Sequence, residues 1–433
     1  MNQPNQNYAP IKSSERINSL DVIRGIALLG ILLMNIHGMG LPFAYSDPSV
    51  AGGSTGLNLK VWFMNGLLFE GTMRGLFTML YGAGMVLLTS RIEKSGAGIK
   101  TADIYYRRIL WLLLFGIFHV YVMLWHGDIL YPYAVFGLML FPMRNMEAKH
   151  LLMGGLMLLF IGIAWDVADY REDAKNMQEA EIAETIKAQG DSLTEEQEAA
   201  IKKWEKRTKK KTQEEVDEAI ADMHKGYWEV AQKKIKLNQF MQTWILYRYW
   251  PWDLMSFMLI GMAFFKWKIF QGEHGMKFYL GMMVIGYGIG VSINYYETSF
   301  YMNDNFSAIS ESMTGQTYQV GRLFTTLGHI GLFMLFIKSG ILRFLQNALA
   351  AVGKMALTNY LMHTLITDFI FFGFGFSLYG QLERYELYYV VFGIWIFQLI
   401  YSPIWFRYFQ YGPTEWLWRS LTYMKKQPLR IKE

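Results

Sequence analysis

Two histidines and an aspartate lie close together in the stretch HVYVMLWHGDILYPYAVFG, which begins at His119. His119 and His126 are seven residues apart, so they would share one stripe of a helix that runs through both. Asp128 follows, and a carboxylate beside an imidazole fixes its tautomer and raises its basicity, as general-base catalysis requires. The alternatives are a polar turn in which Asp128 caps the next helix, and a metal site. HxxxxxxHxD is no established spacing of metal ligands, so we expect no metal.

A second pair lies in the first apolar block, SLDVIRGIALLGILLMNIHGMG. About 20 apolar residues suffice to cross a membrane as a helix. Arg24, near the start of the block, could contact the phosphates of a cytoplasmic cofactor or serve as a snorkelling anchor. His37 would lie about 20 Å further along the helix, near the opposite boundary, either as a base or simply solvated.

Two further pairs have helical spacing. Glu70 and Arg74 are four residues apart, so on a helix they would share a face and pair, as a structural ion pair or as part of a substrate site. Asn359 and His363 are one turn apart and could bind substrate. The alternative is that Thr358 and Asn359 join neighbouring helices by hydrogen bonds. The sequence has no cysteine, no Walker motif and no HExxH, which argues against thiol, nucleotide-motor and zincin chemistry.

The elements that must position these residues are apolar blocks of spanning length. They predict about ten membrane spans, roughly at 20–40, 66–90, 106–125, 128–143, 149–168, 250–270, 276–295, 320–338, 354–376 and 386–409. Lys and Arg cluster at alternate connections, beginning with Lys12 and Arg16 and ending with Lys426 and Lys432. By the positive-inside rule, this predicts a bacterial inner-membrane protein with both termini in the cytoplasm. The net charge of +5 reflects this placement, and no basic patch indicates a nucleic-acid partner.

The segment 169–239 is highly charged and rich in helix-forming residues. Gly190 and Asp191 interrupt it, and Thr194 with Gln197 forms a capping box for the following helix. We expect a helical extracytoplasmic insert, either a solvated spacer or lid, or an arm that docks a second copy or another protein. The predicted fold is an all-α polytopic transmembrane bundle divided into 1–168 (spans 1–5), the insert 169–239, and 240–433 (spans 6–10).

Three stretches carry a family resemblance: LDVIRGIALLGILLMNI, WHGDILYPYAVFG, and KMALTNYLMHTLI with YSPIWFRYFQYGPTEWLWRSLTY. They resemble the YeiB-like family of bacterial polytopic membrane proteins, a family of unknown function often described as candidate transporters. The first span is also similar to the opening helix of membrane acyltransferases of the acyltransferase-3 and heparan-glucosaminide acetyltransferase type. In the acyltransferase-3 pattern ten residues separate an Arg from a His. Here Asn35 occupies that position and His37 lies two residues further on, so His119 and His126 are rival candidates.

The similarity to acyltransferases implies transfer of an acyl group from a cytoplasmic acyl-CoA to an extracytoplasmic or lipid-linked acceptor. The candidate catalytic residues are His37, His119, His126 and Asp128, and the CoA phosphates would lie near Arg24, Arg107 and Arg108. Glu70, Arg74, Asn359 and His363 are candidate substrate contacts. The alternative hypotheses are a transporter of a small polar or anionic solute, with these charges along its pathway, and a non-catalytic membrane assembly factor that uses the insert to dock a partner.

Overall fold

The described part of the chain consists of helices and short connections. The computed structural model describes residues 17–45 and 47–431, so Lys12, Arg16 and Lys432 lie outside it. Within these ranges the only β-type pairing is an isolated bridge between Phe409 and Arg430. The predicted all-α class is confirmed. The helices are α1 (Asn18–Gly40), α2 (Gly56–Leu68), α3 (Thr72–Lys94), α4 (Lys100–Tyr121), α5 (Leu130–Leu140), α6 (Ala148–Ala188), α7 (Glu195–Thr208), α8 (Gln213–Met223), α9 (Tyr227–Phe240), α10 (Leu246–Arg248), α11 (Ser256–Lys266), α12 (Met276–Asn303), α13 (Ala308–Ser339), α14 (Arg343–Lys354), α15 (Ala356–Phe371), α16 (Leu387–Tyr408) and α17 (Pro413–Thr422).

Six helical segments of the described chain are long and apolar enough to cross a membrane: Asn18–Gly40, Gly56–Lys94, Ala148–Ala188, Met276–Asn303, Ala308–Ser339 and Leu387–Tyr408. The remaining predicted spans correspond to α4, α5, α11 and α15. Three of these helices are only 11 to 16 residues long, and α4 carries several charged residues in its first turns. The chain is therefore a polytopic helical bundle, and about ten spans are consistent with it.

Glycines bring two pairs of helices into backbone contact. A Cβ added at Gly82 of α3 would overlap the main-chain oxygen of Met258, and one added at Gly261 of α11 would overlap that of Met79. The same reciprocal relation joins Gly25 of α1 to Gly353 of α14. Small residues permit such close approach between membrane helices. These contacts hold α3 against α11 and α1 against α14.

Substituting Gly82 by Ala should destabilise the protein, because the added methyl group would force α3 away from α11. We expect a loss of about 1–3 kcal/mol. The matched control is Gly84→Ala on the same helix, where the added Cβ meets no atom within 4 Å. That control should be neutral or slightly stabilising, because Ala favours helix over Gly by about 1 kcal/mol. Thermal unfolding in detergent measures both, and equal melting temperatures would contradict the prediction.

The insert begins as a continuation of a membrane helix. α6 runs from Ala148 to Ala188 without a break at 168/169, and α7 packs back against it. Lys203 lies 3.2 Å from Glu172, and Arg207 lies 3.1 Å from Asp173. The capping box of Thr194 and Gln197 is present, as the sequence predicts. In α8, hydrogen bonds from Lys225 and Lys233 hold the pKa of Asp222 below its usual range.

The second half of the insert packs on the bundle. Met223 and Val230 are buried in the apolar cluster that also contains Leu32 and Ile36 of α1. From α9, Lys234 Nζ donates to the carbonyl of Leu124 at 3.0 Å, and Asn238 Nδ2 donates to that of Val120 at 2.9 Å. Tyr227 donates to Val122 O at 2.8 Å. An α-helix leaves its last carbonyls without helical partners, and α9 supplies donors at the end of α4. The connection between α4 and α5 is held in place by the insert.

Candidate functional site

A buried histidine–carboxylate pair lies where α4 ends and α5 begins. His119 is in the last turn of α4, and its Nδ1 lies 2.7 Å from Asp128 Oδ1. Both side chains are buried. The other carboxylate oxygen, Oδ2, accepts a hydrogen bond from the Tyr131 amide at 2.7 Å, at the start of α5. Asp128 therefore contacts the His119 imidazole with one oxygen and accepts a hydrogen bond from the first turn of α5 with the other.

The second histidine of this stretch lies elsewhere than predicted. α4 ends at Tyr121, so His126 lies in the following turn and not on one helical stripe with His119. Asp128 is hydrogen bonded to His119 and not to its near neighbour His126. The chain reverses after α4, and α5 starts at Leu130. The condition for a shared stripe, a helix that runs through both histidines, is therefore not met.

α15 supplies the other partners of the pair. His119 Nε2 lies 2.7 Å from Thr364 Oγ1, and the Tyr360 ring packs edge-on with its centroid 5.0 Å away. The Tyr360 hydroxyl accepts a hydrogen bond from the Ile129 amide at 3.2 Å. His119 is thus held from both sides, by a carboxylate on one ring nitrogen and by a hydroxyl on the other. Such contacts select a tautomer and a ring orientation.

Asn359 and His363 lie on the same helix but face α16. His363 Nε2 is 3.0 Å from Gln398 Oε1, and Gln398 donates in turn to the carbonyl of Asn359 at 3.0 Å. Asn359 Nδ2 donates to Ser402 Oγ at 3.1 Å. All four side chains are buried. These contacts join α15 to α16, which is the interhelical alternative that the sequence left open.

A cavity of about 260 Å³ lies close to the His119–Asp128 pair, although neither residue lines it. Its lining includes Leu130, two residues beyond Asp128, and Tyr360, whose ring packs on His119. Its lining also includes five basic side chains, contributed by α1, α3, α4, α14 and α17: Arg24, Arg91, Arg108, Lys354 and Arg419. We call these residues the basic cluster. The cavity therefore combines an apolar interior with a concentration of positive charge.

Two acidic residues also line this cavity. Asp21 lies 3.1 Å from Arg24, and Glu415 accepts hydrogen bonds from the amides of Leu357 and Thr358 at the start of α15. The Glu415 carboxylate thus complements the first turn of a helix, where amides lack helical acceptors. The basic cluster exceeds these two acids in number, so the cavity as a whole favours an anion.

Arg107 and Arg108, predicted to act together, point to different surroundings. Arg108 lines the cavity, and its guanidinium lies 3.5 Å above the Trp418 ring. Arg107 donates to the carbonyl of Thr422 at 3.1 Å and pairs with Asp103, outside the cavity lining. Adjacent helical positions project in directions about 100° apart, which separates the two side chains.

His37 lies in the last turn of α1, away from the large cavity. Its side chain is buried, and the Tyr388 ring packs edge-on with its centroid 5.6 Å away. His37 Nε2 has no hydrogen-bond partner among the described residues. The structure does not bring it into contact with Asp128, and no shared site with His119 is formed.

Glu70 and Arg74 do not pair, so the prediction of an ion pair between them was wrong. Glu70 precedes α3, because Gly71 has a left-handed backbone with φ of 69° and the helix begins only at Thr72. The four-residue spacing therefore does not correspond to one helical face. Arg74 instead lies 2.7 Å from Asp253, which also lies 2.7 Å from the buried Arg322. Glu70 accepts a hydrogen bond from the Tyr45 hydroxyl at 3.2 Å.

Sequence reasoning missed most of the basic cluster. In the sequence, Arg91 and Arg419 are positive residues that flank predicted spans, which is information about membrane topology and not about a binding site. Lys354 precedes α15 and belongs to no recognisable motif. Asp253 and Arg322 are charged residues near or within predicted spans. Because burying a charge at membrane depth costs free energy, the sequence indicated that each of them needs a partner.

The fold and these buried polar groups define a polytopic α-helical membrane protein. Residues 264–425 match the family described as "Protein of unknown function (DUF418)". Over 94% of its length the chain is 29% identical to the "Uncharacterized protein YeiB" of Escherichia coli strain K12, covering 96% of that protein. It is 28% identical to the "Uncharacterized protein YxaH" of Bacillus subtilis strain 168, with 98% of each chain covered. These matches confirm the resemblance to the YeiB-like family. No solved structure matches the chain.

Proposed function

We propose that this protein transfers an acyl group from a cytoplasmic acyl-CoA to an acceptor that is extracytoplasmic or lipid-linked. The observation that carries the proposal is a cavity lined both by the basic cluster and by Leu130 and Tyr360, which are neighbours of the His119–Asp128 pair. An acyl-CoA has the matching polarity, since its phosphates are anionic and its acyl–pantetheine arm is largely apolar. In this proposal the cavity opens to the cytoplasm of a bacterial cell, and the protein lies in the inner membrane with both termini inside.

The basic cluster would bind the phosphates of the donor. Arg24 and Arg108 offer planar guanidinium groups that suit phosphate oxygens, and three further basic side chains line the same cavity. In a site sheltered from water such charge-assisted hydrogen bonds are strong. Trp418, which stacks on Arg108, holds one of these guanidinium groups in place from α17. The apolar walls between Arg108 and Tyr360 would receive the remainder of the donor.

His119 is the candidate general base. Its Nδ1 is held by Asp128, which leaves Nε2, now 2.7 Å from Thr364 Oγ1, as the nitrogen that can take a proton. An acceptor hydroxyl or amine would replace that contact and attack the thioester carbonyl. The new bond forms at the acyl carbon, the carbon–sulfur bond breaks, and His119 passes the acceptor's proton to the departing CoA thiolate. The protein ends unchanged, and no oxidant or metal is required.

Replacing Arg108 by Gln should weaken acyl-CoA binding by about 10- to 100-fold, since a hydrogen bond to a charged group contributes about 1.5–3 kcal/mol. The neighbouring Arg107→Gln is the matched control, because Arg107 lies outside the cavity lining. Thermal unfolding of the detergent-purified protein with increasing acetyl-CoA or longer acyl-CoA measures this, because a ligand that binds the folded state raises the melting temperature.

Wild type and Arg107→Gln should show the same ligand-dependent shift, and Arg108→Gln and Arg24→Gln should show it only at much higher concentration. If millimolar acyl-CoA leaves the wild-type melting temperature unchanged, the acyl-CoA proposal is wrong.

Transport of a small anionic solute is the second candidate. It is favoured by one observation, the buried charges of Asp253 and Arg322 with Arg74 paired to Asp253, because ionisable residues inside membrane bundles commonly mark transport pathways. Uptake assays in proteoliposomes distinguish the two functions. A transporter would carry solute without consuming acyl-CoA, whereas an acyltransferase would release free CoA.

A further inference from the structure

The large cavity stops short of the His119–Asp128 pair. On α15 its lining includes Leu357 and Tyr360, whereas Thr364, which contacts His119, does not line it. Helical residues at i, i+3 and i+7 lie on one face, so these three side chains follow one another along a single stripe of α15. Along this helix the cavity lining thus ends at Tyr360, about 6 Å before Thr364.

On α4 the boundary between the cavity and the pair is formed by main chain. Ile109 and Leu112 line the cavity, and Gly116 and His119 continue their stripe on the buried face of the helix. A Cβ added at Gly116 would lie 2.4 Å from the amide nitrogen of Tyr131, so the start of α5 fills the space beside this glycine. Main chain within a helix cannot turn aside as a side chain can. This part of the barrier is therefore fixed.

Tyr360 forms a part of the barrier that can move. It lines the cavity, and its ring packs edge-on against His119 with the two centroids 5.0 Å apart. Its hydroxyl accepts a hydrogen bond from the Ile129 amide at 3.2 Å, which is at the long end of the usual range. The cavity leaves space on one side of the ring. A change of side-chain rotamer would break this hydrogen bond and connect the cavity with His119.

We propose that Tyr360 is a gate between the large cavity and the His119–Asp128 pair, and that its hydrogen bond to the Ile129 amide holds the gate shut. His119 Nε2 faces Thr364, one turn beyond Tyr360, so the space that the ring vacates borders this nitrogen. The gate keeps a group bound in the cavity apart from the imidazole until the ring turns. Its use in acyl transfer rests on the proposed function, whereas the separation itself does not.

The test measures the reaction of His119 with diethyl pyrocarbonate. This small uncharged reagent transfers an ethoxycarbonyl group to an imidazole nitrogen and releases carbon dioxide and ethanol, and peptide mass spectrometry gives the rate at each histidine of the detergent-purified protein. In the wild type His119 should react slowly, because a buried group reacts only when the structure opens locally. Tyr360→Ala should raise this rate by about 10-fold or more, because the barrier is then absent. Tyr360→Phe keeps the ring and should retain most of the protection.

The matched control is Tyr105→Ala. Tyr105 is also buried and lines the same cavity, but it lies about 21 Å before His119 along α4, so its removal should leave the rate at His119 unchanged. His363 is buried against Gln398 and should stay unreactive in every variant, which shows that α15 is intact. If His363 reacts together with His119, Tyr360→Leu, which fills more of the space, replaces Tyr360→Ala and decides by the same comparison.

Equal rates at His119 in the wild type, Tyr360→Ala and Tyr105→Ala would overturn the proposal. A second measurement follows the release of free CoA from acetyl-CoA without an acceptor. This hydrolysis should rise in Tyr360→Ala, because the thioester and His119 are no longer kept apart. A faster reaction of His119 with unchanged release of CoA would overturn the role of the gate in acyl transfer. If acetyl-CoA fails to bind the wild type, the proposed function fails, and the reagent test alone decides whether Tyr360 is a gate.

Discussion

Replacing His119 by Gln is expected to lower acyl-CoA turnover by about 10²–10⁴-fold, the usual contribution of a general base. The substitution keeps a polar side chain near Asp128 and Thr364 but removes the nitrogen that would take the proton. The dissociation constant for acyl-CoA should change little, because the basic cluster is contributed by other residues. A loss in kcat with donor binding retained is the signature of an interaction made in the transition state.

The control for this prediction is His274→Gln. His274 does not line the cavity, and its Nε2 lies 2.8 Å from the carbonyl of Trp267. Turnover is followed as the release of free CoA, and donor binding by the ligand-dependent melting temperature. Thr364→Val serves as a milder second variant, since it removes only the hydroxyl beside Nε2. If His119→Gln keeps full activity and either His126→Gln or His37→Gln loses it, the general base is the histidine whose substitution causes the loss.

The second large effect is expected on stability. Asp253→Asn should destabilise the protein by about 3–5 kcal/mol, because it leaves two arginines without their common counter-ion. Arg322 is 1% exposed, so its charge cannot be solvated in place of the ion pair. Arg74 loses its 2.7 Å contact as well. The expected result is a strongly lowered melting temperature in detergent and a reduced yield of folded protein.

Asp169→Asn is the matched control for this ion-pair prediction. Asp169 lies 2.7 Å from Arg248, but its side chain is 40% exposed. Exposed ion pairs contribute about 0–1 kcal/mol, so the melting temperature should barely change. If the two variants unfold at the same temperature, the Arg74–Asp253–Arg322 cluster does not stabilise the fold. Retained stability combined with lost solute uptake would instead favour the transporter hypothesis.

Elements with strong local patterns were predictable from the sequence. The apolar blocks indicated a helical membrane bundle, and α1, α12, α13 and α16 correspond to predicted spans. The capping box of Thr194 and Gln197 was recognisable because its two hydrogen bonds join residues three positions apart. The pairing of Asp128 with a histidine was also anticipated. These features depend on neighbours in the chain, so their signals are local.

The identity of that histidine required the tertiary structure. His126 is nearer to Asp128 in the sequence, yet His119 makes the contact, because α4 ends at Tyr121 and the chain turns back. A similar local event separates Glu70 from Arg74, since the left-handed Gly71 delays the start of α3. The exact end of a helix decides which side chains meet, and sequence patterns define helix ends only to within a few residues.

By itself, the sequence determined the class of protein, the approximate helices, the charged insert and the candidate chemistry of His119 and Asp128. Only the tertiary structure decided which distant residues meet. Thr364 reaches His119 across 245 positions, and Asp253 reaches Arg74 across 179. The basic cluster is assembled from five helices. Helix periodicity arises from the spacing of neighbouring residues, whereas such contacts arise from the order and rotation of helices in the bundle, which no local spacing encodes.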